Sequence, residues 1–331
     1  MRKLVRILAY VTIVLMVVIV ALLSYVKFAL PSAEPAPDLV IEPTPARLER
    51  GKYLATSVTV CIDCHSKRDW KQFSGPLVMG TIGQGGERFD QSMGLPGVFI
   101  SRNITPHGIG RYSDGELFRA ITTGVTKEGR AMFPLMPFAY YGRMDPEDIY
   151  SIIAYLRTLE PIANEVPPSV PDFPMNFIIN TLPQKAAPTK KPEPSELLAY
   201  GAYMTNAAGC AECHTQANKG FIIPELIYGG GREFPFASGG IVRSSNITPD
   251  RETGIGNWTE EQFVSRFKAY ADTSYRSPEI HADEFNSFMP WTMYAQMSTE
   301  DLAAIYQYLM TMKPIQNKVE KYKAPAAGGG H

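Results

Sequence analysis

Twenty consecutive residues, Ile7 to Val26, carry no charge. A helix of that length, at roughly 1.5 Å per residue, crosses a hydrocarbon core of ~30 Å. Arg2, Lys3 and Arg6 precede the run and only Lys27 follows closely. The positive-inside rule then places the N-terminus in the cytoplasm and the rest of the chain outside. A cleaved signal peptide would have a shorter apolar region, about 7–15 residues, and a small-residue cleavage site that is not evident here. Residues 1–30 therefore read as a retained membrane anchor, and the Pro- and Ala-rich stretch 31–44 as an extended tether.

Beyond the tether, apolar positions follow the helical period, and they do so twice. Asp145-Pro146 opens an amphipathic helix with Ile149, Ile152, Ile153 and Leu156 inward; Ser298 opens a second with Leu302, Ile305 and Leu309 inward. Ser113 with Glu116, and Thr259 with Gln262, have the spacing of a capping box. No stretch alternates convincingly with the two-residue period of a strand, so the fold class reads as all-α. Other segments repeat in the same order: Arg50–Leu54 and Tyr200–Met204, Gly83–Gly86 and Gly229–Gly231, and Asn-Ile-Thr-Pro at Asn103 and Asn246. Gly-Ile-Gly follows at Gly108 and Gly254, then Met-Pro-aromatic at Met136 and Met289, then Pro-Ile-x-Asn-x-Val at Pro161 and Pro314. Two domains follow, 45–166 and 195–322, joined by a linker, 167–194, with eight Pro. Phe173, Phe177, Ile178 and Ile179 predict that the linker lies over the domains rather than free. Residues 323–331, ending in His331, read as a flexible tail.

The chain has four Cys, and two copies of Cys-x-x-Cys-His use them all: Cys61, Cys64 and His65, then Cys210, Cys213 and His214. This motif marks c-type haem attachment. Two thiols one turn apart can add to the two vinyl groups of one haem, and the adjacent His can bind its iron. One Cys-x-x-Cys would leave a disulfide, a redox dithiol or a four-cysteine zinc site open. Two copies, each followed by His with no Cys left over, argue against those readings. Export beyond the membrane fits, because c-type haem is attached there.

Each iron needs a ligand opposite its His. Among 14 Met the repeat selects Met136, 71 residues after His65, and Met289, 75 after His214. Each precedes Pro, which stiffens its loop. Met132, Met144, Met293 and Met297 are the decoys; Met144 and Met297 also align, but as hydrophobic staples of the last helix. His107 stands where the second copy has Asp250, and His281 lies in an insertion-like stretch, so neither is favoured as a ligand. A neutral thioether favours ferrous iron and raises the potential. With both positions filled, electron carriage is expected rather than oxygen or peroxide chemistry. The balance of 32 basic and 33 acidic residues gives no basic surplus for nucleic acid. The Asn-Ile-Thr-Pro copies match a glycosylation acceptor, but the following Pro and bacterial export argue against it. Arg102 and Arg243, just upstream, are candidates for neutralising haem propionates or else are solvated loop residues.

Together these residues resemble the cytochrome c subunits of bacterial membrane-bound dehydrogenases for alcohols, gluconate and aldehydes. The resemblance covers nearly all of residues 45–320. It rests on the paired Cys-x-x-Cys-His, the Asn-Ile-Thr-Pro and Gly-Ile-Gly stretches and the Met-Pro triplets. It implies tandem duplicated class I cytochrome c-like domains behind one N-terminal transmembrane helix, with two covalently bound haem c. His65 and His214 would be the proximal iron ligands, with Met136 and Met289 opposite. Those subunits typically carry three haems; this chain has two motifs. The implied role is a membrane-tethered carrier taking electrons from an exported dehydrogenase or quinol-linked complex to a terminal oxidase or soluble cytochrome. The alternatives are a fixed subunit of a respiratory oxidase or reductase complex and, less favoured, a di-haem peroxidase or thiosulfate dehydrogenase. The last would need a distal Cys, and none is spare.

Overall fold

The computed structural model describes residues 2–32, 34–218, 220–236, 239–272, 274–281 and 284–325. His331 and most of the tail lie outside these residues. Helix α1 (Arg2–Phe28) runs unbroken with no buried residue, and it is long and apolar enough to cross a membrane.

The chain beyond it is mostly helical. Thr44 caps α2 (Pro45–Tyr53) by accepting the Arg47 N–H, with Pro45 at the first helical position. A π-helical turn, Leu54–Val58, leads to α3 (Cys61–Cys64). After a glycine-rich loop come α4 (Pro106–Ile109), α5 (Asp114–Thr123), α6 (Phe138–Tyr141) and α7 (Pro146–Leu156). The linker carries α8 (Met175–Ile178). Then follow α9 (Leu197–Ala207), α10 (Cys210–His214), α11 (Glu260–Lys268), α12 (Trp291–Tyr294) and α13 (Thr299–Leu309). Both capping boxes form with reciprocal bonds, and the inward residues expected on α7 and α13 are all buried.

In each half the helix before the haem motif crosses the last helix at a glycine. A Cβ on Gly51 would stand 1.8 Å from the Ser151 carbonyl oxygen, and one on Gly201 2.1 Å from that of Ala304. The backbones of α2 and α7, and of α9 and α13, are therefore in direct contact. That contact fixes where each motif begins relative to the core.

The structure adds short strands that hydrophobic periodicity does not show. β1 (Arg88–Phe89), β2 (Gly97–Ile100) and β3 (Val170–Pro171) form one antiparallel sheet. A hairpin of β4 (Ala217–Asn218) and β5 (Phe221–Ile222) follows. β6 (Glu233–Pro235), β7 (Ile241–Arg243) and β8 (Tyr322–Lys323) form a second three-stranded sheet. Strands of two to four residues are too short to display a two-residue alternation. In both sheets the third strand comes from the segment just past Pro-Ile-x-Asn-x-Val, and it straps that segment over the glycine-rich loop.

The linker covers only part of its apolar surface. Ile179 is buried and Phe177 half-buried, with Lys27 Nζ 5.6 Å from the Phe177 ring and Asn180 donating to the Val26 carbonyl at 3.1 Å. Phe173 stays 81% exposed and Ile178 40%, contrary to the expected cover. The reason is geometric: this segment packs against the end of a single helix, α1, which is too narrow to shield both sides.

The two halves share one continuous apolar core and clasp each other crosswise. Tyr203 donates to Asp148 Oδ2 at 2.7 Å and accepts the Asp145 N–H at 3.1 Å. Tyr53 donates to Asp301 and accepts the Ser298 N–H at 3.0 Å. Each tyrosine thus reaches the N-terminus of the other half's last helix. Burial raises the Asp148 pKa, but the bonds from Arg50 (2.7 and 2.9 Å) and Tyr203, with Lys191 at 3.8 Å, outweigh it and hold the carboxyl below its ordinary value. A depressed carboxyl stabilises the fold above its unfolded pKa of ~3.9, and that contribution vanishes as pH falls through the folded value. Asp148→Asn is expected to cost about 2–3 kcal/mol near pH 7, discounted from a fully buried pair because Arg50 is partly exposed. Its melting temperature should also fall less steeply than the parent's below pH ~4. Parallel pH slopes for both proteins would reject this account.

Candidate haem attachment sites

The two Cys-x-x-Cys-His motifs occupy short helices entered through left-handed residues, Val60 (φ 44°) and Gly209 (φ 64°). All four cysteines are free thiols, with Cys61 and Cys210 half-buried and Cys64 and Cys213 exposed. Burial raises the Cys64 thiol pKa, and the nearby Cys213 thiol of the other motif adds a small share. Each half-buried histidine is held by one ring nitrogen. His65 Nδ1 lies 2.7 Å from the Arg102 carbonyl oxygen, and His214 Nδ1 lies 2.7 Å from that of Ser245. A carbonyl only accepts, so Nδ1 carries the proton and Nε2 keeps its lone pair for a metal. Burial lowers both imidazole pKa values, which favours the neutral, ligating form.

The Asn-Ile-Thr-Pro copies explain how those carbonyls are aimed. Asn103 Oδ1 accepts from Thr105 N and Oγ1 at 2.9 and 2.7 Å, while Asn103 Nδ2 donates to Ile162 O at 2.8 Å. Asn246 repeats this with Thr248 at 2.9 and 2.7 Å and with Ile315 O at 2.7 Å. All four side chains are buried, which leaves no accessible amide for a glycan. The later asparagines close the frame: Asn164 Nδ2 donates to Gln84 O at 2.9 Å, and Asn317 Nδ2 to Gly229 O at 2.8 Å. The glycine-rich loop then bonds the histidine's own carbonyl, from Gly85 N and Gly230 N, both at 2.8 Å. Only glycine fits there. At φ +70° and +69°, a Cβ would meet the Arg102 or Ser245 carbonyl carbon at 2.4 Å.

Met136 and Met289 sit half-buried at the edge of the core, as do Cys61 and Cys210. Met144 and Met297, at 1% exposure each, are sunk in the core, as expected of staples, and Met293 is also buried. Met136 and Met289 occupy equivalent loops: Phe138 N and Trp291 N each bond the methionine carbonyl at 2.8 Å. Five residues after each methionine, a tyrosine ties the loop to the backbone two residues before the first motif cysteine. Tyr141 donates to Thr59 O at 2.8 Å and Tyr294 to Ala208 O at 2.7 Å. The sequence reading missed these tyrosines, although their equal offsets from Met136 and Met289 were a usable signal.

The remaining candidates have other partners. His107 faces Glu165 at 3.5 Å on the surface, and His281 is exposed. Arg102 bonds the Val166 and Pro167 carbonyls, both at 3.1 Å, while Arg243 pairs with Glu233 at 2.8 Å and Glu320 at 3.4 Å. Both arginines therefore hold the third-strand straps instead of standing free in solvent. Among the described residues, no group of three or more His, Cys, Asp or Glu converges in a way that could hold a metal ion. Each half presents two thiols and an imidazole whose Nε2 is available, groups that fit a covalently attached haem.

No family model matches the chain. Individual proteins do. It is 27% identical over 290 residues to the cytochrome c subunit of the quinone alcohol dehydrogenase of Gluconobacter oxydans, covering 82% of this chain and 55% of that protein. It is 27% identical over 288 residues to the fructose dehydrogenase cytochrome subunit of Gluconobacter japonicus, covering 82% and 54%. A diheme cytochrome c-type protein of Cereibacter sphaeroides is 29% identical over 167 residues, covering 48% and 54%. The chain spans about half the length of the curated relatives it matches. Along most of its length, this chain is similar to the cytochrome c subunits of alcohol, fructose and gluconate dehydrogenases.

Proposed function

We propose that the chain is a di-haem cytochrome c, built from tandem class I cytochrome c-like domains at 45–166 and 195–322 and tethered to the membrane by α1. The observation that carries this is the twofold frame described above. In each half one histidine is fixed with Nε2 available, and a methionine loop is tied by a tyrosine to the same attachment motif. Cys61, Cys64, Cys210 and Cys213 would form the thioether links, and His65 with Met136, and His214 with Met289, would hold the two irons. Bound haem supplies a one-electron iron couple. The carbonyls of Arg102 and Ser245 fix the imidazoles, and Tyr141 and Tyr294 hold the methionine loops, so the same residues would keep both irons closed to substrate. The adjacency of Cys64 and Cys213 supports electron passage from one half to the other.

The donor would be an exported dehydrogenase or a quinol-linked complex, and the acceptor a terminal oxidase or a soluble cytochrome. The relatives' names favour a dehydrogenase subunit, since those proteins are cytochrome subunits of alcohol and fructose dehydrogenases. The α1 helix, with exposed Phe173 and Ile178 beside its end, supports haem domains resting against the outer face of the membrane. The purified protein is expected to have an intact mass greater than the polypeptide by two covalent haems. A mass showing one haem or none overturns the proposal.

A further inference from the structure

Ser74 belongs to the first half, and its hydroxyl donates to the Met289 carbonyl oxygen of the second half at 2.5 Å. The Ser74 hydroxyl oxygen in turn accepts the Trp291 N–H at 3.3 Å. Ser74 is buried and adopts a left-handed backbone, φ +63°, which a non-glycine residue rarely holds without a reason. Its N–H donates to Asn286 Oδ1 at 2.8 Å; that oxygen also accepts the Ser287 N–H at 2.7 Å, and Ser287 Oγ accepts the Met289 N–H at 3.1 Å. Ser74 thus holds the Met289 carbonyl directly, while the Met289 N–H is held by Ser287, which shares the acceptor Asn286 Oδ1 with Ser74. Met136 and Met289 each have the carbonyl bond from two residues on; Met289 has, in addition, this bond from the other half.

The backbone of Ser74 leads back to the first attachment motif. Arg68 donates to Ser74 O at 2.6 Å and to Gly75 O at 2.8 Å, and pairs with Asp63 at 2.8 Å. Asp63 lies between Cys61 and Cys64. Arg68 and Asp63 are both buried, and Arg68 stacks 4.0 Å over Trp70. A buried ion pair between fixed groups is a stiff connector, because parting it leaves a charge unpaired.

We infer that Ser74 is a positioning residue for the second iron site, a residue of one half that sets the hold of Met289 in the other and couples it to the Cys61–Cys64 helix. This rests on Met289 being an iron ligand. Losing one buried hydroxyl bond of this kind weakens the hold by about five- to tenfold. The test uses the full haem-loaded chain with imidazole as the competing ligand. Ser74→Gly removes the hydroxyl yet suits the left-handed backbone, and Ser74→Ala removes it while keeping the backbone demand. In a Met136→Ala background, where the remaining methionine–iron band reports the second site, both variants should bind imidazole about five- to tenfold more tightly. In a Met289→Ala background, neither should alter imidazole binding at the first site. Unchanged affinity in the first background, or an equal change in both, overturns the inference. If Met289→Ala itself leaves the second site's band intact, the ligand reading fails instead, and the two failures are distinguishable.

Discussion

Replacing Met136 or Met289 with alanine should abolish the methionine–iron charge-transfer band of one haem and lower its potential. A fall on the order of 0.1–0.3 V is expected, within the ~0.8 V that axial ligands span. The loops explain why each loss should be confined to its own site. Each methionine is tied by its own tyrosine to its own motif, at 2.8 Å for Tyr141 and 2.7 Å for Tyr294. Met144 and Met297 are the controls. Both are fully buried, so alanine there should keep both bands while costing about 2–5 kcal/mol of stability through the cavity left behind. Potentiometric titration with absorbance at both haems, beside denaturant unfolding, separates the outcomes. A methionine variant with an unchanged band would remove that residue from the ligand set.

The second large effect is expected at the helix crossings. Gly51→Ala or Gly201→Ala forces a methyl group against a carbonyl oxygen at 1.8 or 2.1 Å, and both obstacles are backbone. Rotamer changes cannot relieve that, so α2 must part from α7, or α9 from α13. A loss of about 3 kcal/mol or more is expected, the upper range for overpacking. Gly129→Ala is the comparison. Nothing lies within 4 Å of its added Cβ, and only its φ of +73° opposes the change, so about 1 kcal/mol is expected there. Chemical denaturation of the haem-loaded protein measures both. Equal losses at Gly51 and Gly129 would show that the crossings tolerate separation.

Hydrophobic period and cap chemistry made the long helices legible, because Ile149, Ile152 and Ile153, or Leu302, Ile305 and Leu309, mark one face. The repeat nominated Met136 and Met289, and the structure sets the two in equivalent half-buried loops. What stayed hidden depends on contacts between distant residues. The repeat marks Asn103 and Asn246, but not that their amides clip the distant Ile162 and Ile315 carbonyls. The protein partners of Arg102 and Arg243 were not legible because they lie 64 or more residues away or in short strands, whose few residues carry no periodic signal. Ser74 was silent for the same reason, since its partner Met289 is 215 residues on. The linker was misjudged in part: its apolar residues predicted cover, but the narrow end of α1 leaves Phe173 exposed.

The crossed tyrosine clasps bear on what the linker is required to do. Tyr53 reaches Asp301 while Tyr203 reaches Asp148, so equivalent groups meet reciprocally, as in the isologous contact of a two-fold dimer. Such a contact sets its own orientation. The linker between the halves then acts chiefly by raising their effective concentration, a task that depends on reach rather than shape. Its eight prolines and irregular course are therefore compatible with a fixed arrangement of the two halves.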